Sequence, residues 1–121
     1  MTRYAGDASR GRAPHVFEAY REIRETVLDS GIVDPELKDL CARYLAGELD
    51  PQPHLDERQR AALAWADAIA WDSERADDAL WRRLHAAFSE PELVELGYSI
   101  AITLGQQHWL ATRGVTETPS A

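Results

Sequence analysis

The chain has 121 residues, 45% of them apolar and 28% charged, a globular composition that suits one domain with a single core. Lys and Arg number 13 against 21 Asp and Glu, and the resulting formal charge of −8 is a poor footing for nucleic acid or an anionic membrane. One cysteine, Cys41, excludes an intramolecular disulfide and any paired-thiol redox centre within the chain.

Residues 1–13 carry three Arg with Gly and Ser and no apolar period, so they read as a flexible arm rather than a signal peptide. Residues 115–121 read as a flexible tail, and 14–114 as one helical domain. From Pro14 to about Asp29, Val16, Phe17, Tyr20, Ile23, Val27 and Leu28 recur at helical spacing, with Glu18, Arg21, Glu22 and Glu25 on the other face and Gly31 as the stop. Asp34-Pro35 is an N-cap followed by proline at the first helical position, and it opens a second helix with Leu37, Leu40, Cys41, Tyr44 and Leu45 on its apolar face. Gly47 ends that helix, and the prolines of 47–55 make a loop.

Asp56 and Gln59 stand at capping-box spacing before a third helix, which presents Ala62, Trp65, Ala66 and Ile69 and ends near Trp71-Asp72. A fourth begins at Asp77 or Asp78 and offers Leu80, Trp81, Leu84, Ala87 and Phe88. Ser89 and Glu92 form a further capping box, with Phe88 and Leu93 at staple spacing, before a long, largely apolar last helix that runs to Gly114. Its longest apolar run, 93–105, is broken by Glu95 and is too short for a bilayer, so a cytoplasmic protein without membrane contact is expected. No segment alternates over strand length. The expected fold is all-α, a compact bundle of about five helices.

Gly97, Ala101 and Gly105 form a ridge on the last helix with almost no side chain, which invites close approach by another helix of the same chain or of a second copy. A homo-oligomer is expected. Glu92, Glu95, Ser99, Thr103 and Gln106 form a polar stripe that ordinarily faces water; the alternative is that its far end lines a pocket. In that alternative His108 is the proton carrier, Gln106 or Gln107 orients the ligand, and Trp109 with Thr103 forms a wall.

His85 lies near Trp81 and Phe88 and reads as a core-edge histidine, with a ligand-binding or general-base role as the alternative. Cys41, on an apolar face, reads as a buried thiol. No metal-ligand spacing joins the four histidines and Cys41, and no phosphate loop or nucleophile elbow is present, so no metal or cofactor is expected. Asp67 reads as a solvent-edge residue, and the four tryptophans as core and interface anchors.

The stretches GIVDPELKDLCARYLAG, LDERQRAALAWADAIAWD and DDALWRRLHAAFSEPELVELGYSIAITLGQQHW cover most of the chain after Gly31. In order and content they resemble the carboxymuconolactone decarboxylase and alkylhydroperoxidase D superfamily. That resemblance implies a helical oligomer. Its peroxidatic members carry Cys-x-x-Cys-x-x-x-His in a helix that follows the Leu-Lys-x-Leu segment. Here that segment passes at Gly47 into the loop 47–55 and directly to Asp56, and if Cys41 is set on the first cysteine, Tyr44 and Glu48 fall where the second cysteine and the histidine would be. The resemblance therefore implies a shortened relative without a thiol peroxidase centre, which binds or transforms a small organic acid, lactone or carbonyl compound by acid–base chemistry. The competing expectations are a non-catalytic oligomerisation or partner-binding module, and a residual thiol-dependent peroxidase using Cys41.

Overall fold

The computed structural model of the chain describes residues 13–49 and 54–112. The arm and tail expected at the two ends lie outside these residues, apart from Ala13. Five α-helices follow one another: α1 (Pro14–Ile23), α2 (Pro35–Leu45), α3 (Glu57–Trp71), α4 (Asp78–Ala87) and α5 (Glu90–Thr112). α1 widens into a π turn over Arg24–Leu28, and a 3₁₀ turn over Ser73–Arg75 joins α3 to α4. No strand occurs among the described residues.

The helix ends follow local chemistry. Asp56 accepts from the Gln59 amide at 2.7 Å and the Gln59 side chain accepts from the Asp56 amide at 2.9 Å, which completes the capping box of α3. Ser89 and Glu92 make the same reciprocal pair at the start of α5, at 2.8 and 3.3 Å. Asp77 caps α4 through the Leu80 amide. At the end of α2, Gly47 sits at φ +76°, its amide donates to Tyr44 and the Glu48 amide donates to Arg43, the paired bonds of a Schellman stop.

The core is a cluster of Val33, Leu37, Cys41, Ala61, Ala62, Leu63, Ala66, Ala68, Leu80, Leu84, Phe88, Leu93, Leu96 and Ile100. α3 packs against α2, α4 and α5, and α2 also packs on α5. Four buried alanines of α3, Ala61, Ala62, Ala66 and Ala68, let these neighbours approach closely. Pro14–Ile23 itself makes only slight contact with the other helices; the π turn that follows docks on α2 and α5. Trp65 and Trp81 meet edge-on at 5.6 Å between ring centroids. Trp71 differs from the expected anchor: it is 71% exposed, because α3 ends there and the chain turns away.

Candidate functional site

The polar stripe of α5 is turned toward the protein, not toward water. Ser99 is 2% exposed and donates to the Leu96 carbonyl at 2.9 Å. Glu95 reaches the turn before α2, where its carboxylate accepts from the Ile32 amide at 3.2 Å and the Val33 amide at 2.7 Å and pairs with Lys38 Nζ at 3.0 Å. Lys38 is itself buried and also donates to the Val27 carbonyl of the π turn and to the Ser30 carbonyl just beyond it. Burial pushes the Glu95 carboxyl up, but the Val33 amide, Lys38 and the Ile32 amide together hold it below the usual carboxylate range.

Gly31 belongs to this junction. Its φ of +101° disfavours other residues, and a Cβ there would lie 2.3 Å from Glu95 Oε1. One turn earlier, Glu92 pairs with Arg58 at 2.9 Å while Arg58 donates to the Ala87 carbonyl and lies over the Phe88 ring, 4.1 Å from its centroid. The Ser89 amide and Arg58 lower the Glu92 carboxyl.

Past these saturated groups the stripe reaches Thr103 and Gln106, which line an open cleft of about 710 Å³. Tyr20, Arg24 and Leu28 form one wall, residues of α2 from Pro35 to Arg43 a second, and Asp56, Arg58 and Gln59 a third. Gln107 lines it too, but its amide donates to the Ala42 carbonyl at 2.9 Å and so fastens α5 to α2. Arg24 donates to Tyr20 Oη at 3.2 Å and pairs with Asp29 at 3.4 Å. Neither Thr103 nor Gln106 holds a side-chain hydrogen bond among the described residues.

Of the residues grouped by the sequence, Thr103, Gln106 and Gln107 come together here. His108 and Trp109 are exposed and lie outside the cleft lining, because each further residue turns about 100° around the helix. His85 is on α4 and exposed rather than at the core edge; its Nδ1 bonds the Trp81 carbonyl at 2.9 Å and its Nε2 bonds Glu90 at 2.5 Å. The Glu90 bond, and then the Trp81 carbonyl, raise its pKa.

Cys41 is 2% exposed and burial pushes its thiol up to about 12. Asp67 is half-buried and accepts from Tyr44 Oη at 2.9 Å. Lys38, Arg58 and the inward role of Glu95 were missed by sequence reasoning, although Lys38 shares helical spacing with Cys41 and Leu45. Among the described residues no group of three or more His, Cys, Asp or Glu is placed to hold a metal ion, and no helix is long and apolar enough to cross a membrane.

No protein-family model matches the chain, and no curated protein does. One solved structure is similar: a protein of unknown function from Agrobacterium tumefaciens whose proposed description is antioxidant defence protein AhpD. The identity is 18%, the TM-score 0.75, and the match covers 98% of this chain and 100% of that one. The chain has the AhpD-like all-helical fold.

Proposed function

We propose that the chain binds a small lactone or carbonyl compound in the cleft faced by Thr103 and Gln106, without thiol peroxidase chemistry. The observation that carries this reading is that these two side chains, alone along a stripe of satisfied polar groups, have donors and acceptors to offer a ligand. The cleft volume of about 710 Å³ lies within the range of roughly 300–1,000 Å³ that small-molecule sites occupy. A carbonyl oxygen suits an amide N–H and a hydroxyl, since neutral donors compensate its loss of water without a counter-charge.

A carboxylic acid fits less well. Arg24, Lys38 and Arg58 are already paired with Asp29, Glu95 and Glu92; Arg43 enters no ion pair among the described residues, but neither do Asp34, Glu36 and Asp39 along the same wall, which outnumber it. Binding is favoured over turnover because neither an imidazole nor a thiol lines the cleft. Any proton transfer there falls to a carboxylate of the rim, and His108 on the outer face is a weaker candidate than the sequence suggested. Cys41, buried and with a raised thiol, lacks the exposed electropositive setting that thiolate chemistry requires.

The test is a thermal-shift screen of short ketones, lactones and dicarboxylates. Stabilisation by a carbonyl compound that disappears in Gln106→Leu and Thr103→Val but persists in His108→Ala supports the reading. Loss in His108→Ala alone would move the site to the outside of α5.

A second reading, self-association, is favoured by a separate observation. The outer face of α5 leaves Val94 60%, Tyr98 65% and Trp109 47% exposed, beside Trp81 on α4. Light scattering at micromolar concentration tests it.

A further inference from the structure

We infer that α5 pairs with the α5 of a second copy, antiparallel and about a two-fold axis between Ala101 and Ile102, with Tyr98 of each chain seated over Gly105 of the other. The inference rests on the self-association reading and adds its geometry. Pro91, Val94, Tyr98, Ala101, Gly105 and Trp109 follow one another at steps of three or four, so they lie on a single face, and every one of them is exposed.

An isologous contact must be complementary to itself. Antiparallel pairing about that axis places Tyr98 against Gly105 of the partner subunit and Val94 against Trp109 of the partner subunit. Each match sets a larger side chain against a smaller one. Gly105 has nothing within 4 Å of where a Cβ would stand, so the recess is open to receive a ring. Gly97 has a different use: a Cβ there would lie 2.9 Å from Trp65, so this end of the small-residue ridge is filled from within the chain. The indole at position 109 would meet an apolar groove of about 420 Å³ beside Val94, floored by Trp65, Trp81 and Gly97.

The area is of the right size. With fully exposed side chains of roughly 150–250 Å², the exposed fractions of Trp81, Val94, Tyr98 and Trp109 come to about 450 Å² per chain. That is more than half of the ~800 Å² per partner in a standard interface, before Ala101, Gly105 and their neighbours are counted. A patch of this size, shared by α5 and Trp81 of α4, is comparable with the largest apolar patch of a typical monomer, roughly 300–600 Å², which is often functional.

The experiment is sedimentation velocity on the wild type and three variants, with circular dichroism to establish that each folds. The wild type should sediment as a dimer, twice the 13.6 kDa chain. Tyr98→Ala, which empties the recess, and Gly105→Tyr, which sets ring against ring, should each raise the dissociation constant by about tenfold or more. The double variant Tyr98→Ala/Gly105→Tyr exchanges ring and recess and should recover most of the lost affinity. Ala101→Cys in a Cys41→Ala background should cross-link to itself on mild oxidation, since only positions near the axis meet their own copies, while Glu74→Cys should not. A monomeric wild type would overturn self-association altogether. An oligomer indifferent to Tyr98→Ala and Gly105→Tyr, with no Ala101→Cys cross-link, would overturn this geometry and leave self-association standing.

Discussion

Replacing Glu95 by Ala removes the central tie of the structure. Lys38, whose side chain is 3% exposed, loses its counter-charge, and the Ile32 and Val33 amides lose their acceptor. Breaking a buried pair by deleting one partner costs about 3–5 kcal/mol. The lower end applies here, because Glu95 is 18% exposed and Lys38 keeps two backbone carbonyls. A loss of about 3 kcal/mol is a factor of more than 100 in the folding equilibrium, and a fall of roughly 10 °C in Tm for a chain of this size. Urea unfolding followed by tryptophan fluorescence reads the first and a circular dichroism melt the second.

A double-mutant cycle with Lys38→Met isolates the pair, with an expected coupling of about 1–3 kcal/mol. The pH dependence has a definite sign. The folded carboxyl titrates below its unfolded counterpart, so its contribution is complete above the unfolded value and is lost as pH falls through the folded one. The stability gap between wild type and Glu95→Gln should therefore hold at neutral pH and narrow once pH falls below the ordinary Glu value of about 4.3. A Glu95→Ala protein within about 1 kcal/mol of wild type at pH 7 would refute the reasoning, since a surface pair costs no more than that.

Gly97→Ala gains about 1 kcal/mol in helix propensity but forces the Trp65 ring to shift from a 2.9 Å contact, and overpacking costs about 1–3 kcal/mol. The net expectation is a loss of about 1 kcal/mol in urea, with a change in the emission of Trp65. Asp56→Ala removes the α3 cap and should cost about 1 kcal/mol by the same titration, while leaving the α5 capping box intact. Native Cys41 should react with iodoacetamide at pH 8 no faster than the chain unfolds, and stoichiometrically in denaturant; rapid labelling of the folded protein contradicts its burial.

What the sequence disclosed and what it withheld divide along the range of the interaction. Both capping boxes join residues three apart, and the Gly47 stop closes within five, so the residues themselves state them. The inward turn of the α5 stripe depends on Glu95 meeting Val33 across 62 positions, Arg58 meeting Glu92 across 34 and Gln107 meeting Ala42 across 65. No local pattern encodes those meetings, and a polar stripe on a helix ordinarily faces water. Lys38 shares its face with Leu37 and Cys41, yet a lysine reads as solvent-facing until a buried carboxylate is known to await it. Neighbours in sequence part company at Gln107-His108: one residue further along α5 carries the side chain from the α2 contact to the open side.

The central claim, a small carbonyl ligand held by Thr103 and Gln106, is tested most directly by titrating the ¹⁵N,¹³C-labelled protein with the best-stabilising lactone or ketone and following amide and methyl resonances. The account predicts that the largest shifts fall on the Gln106 side-chain amide, the Thr103 methyl and the residues about Tyr20 and Arg24. Shifts centred on His108 and Trp109, or on His85 and Glu90, with Thr103 and Gln106 unmoved, would contradict it.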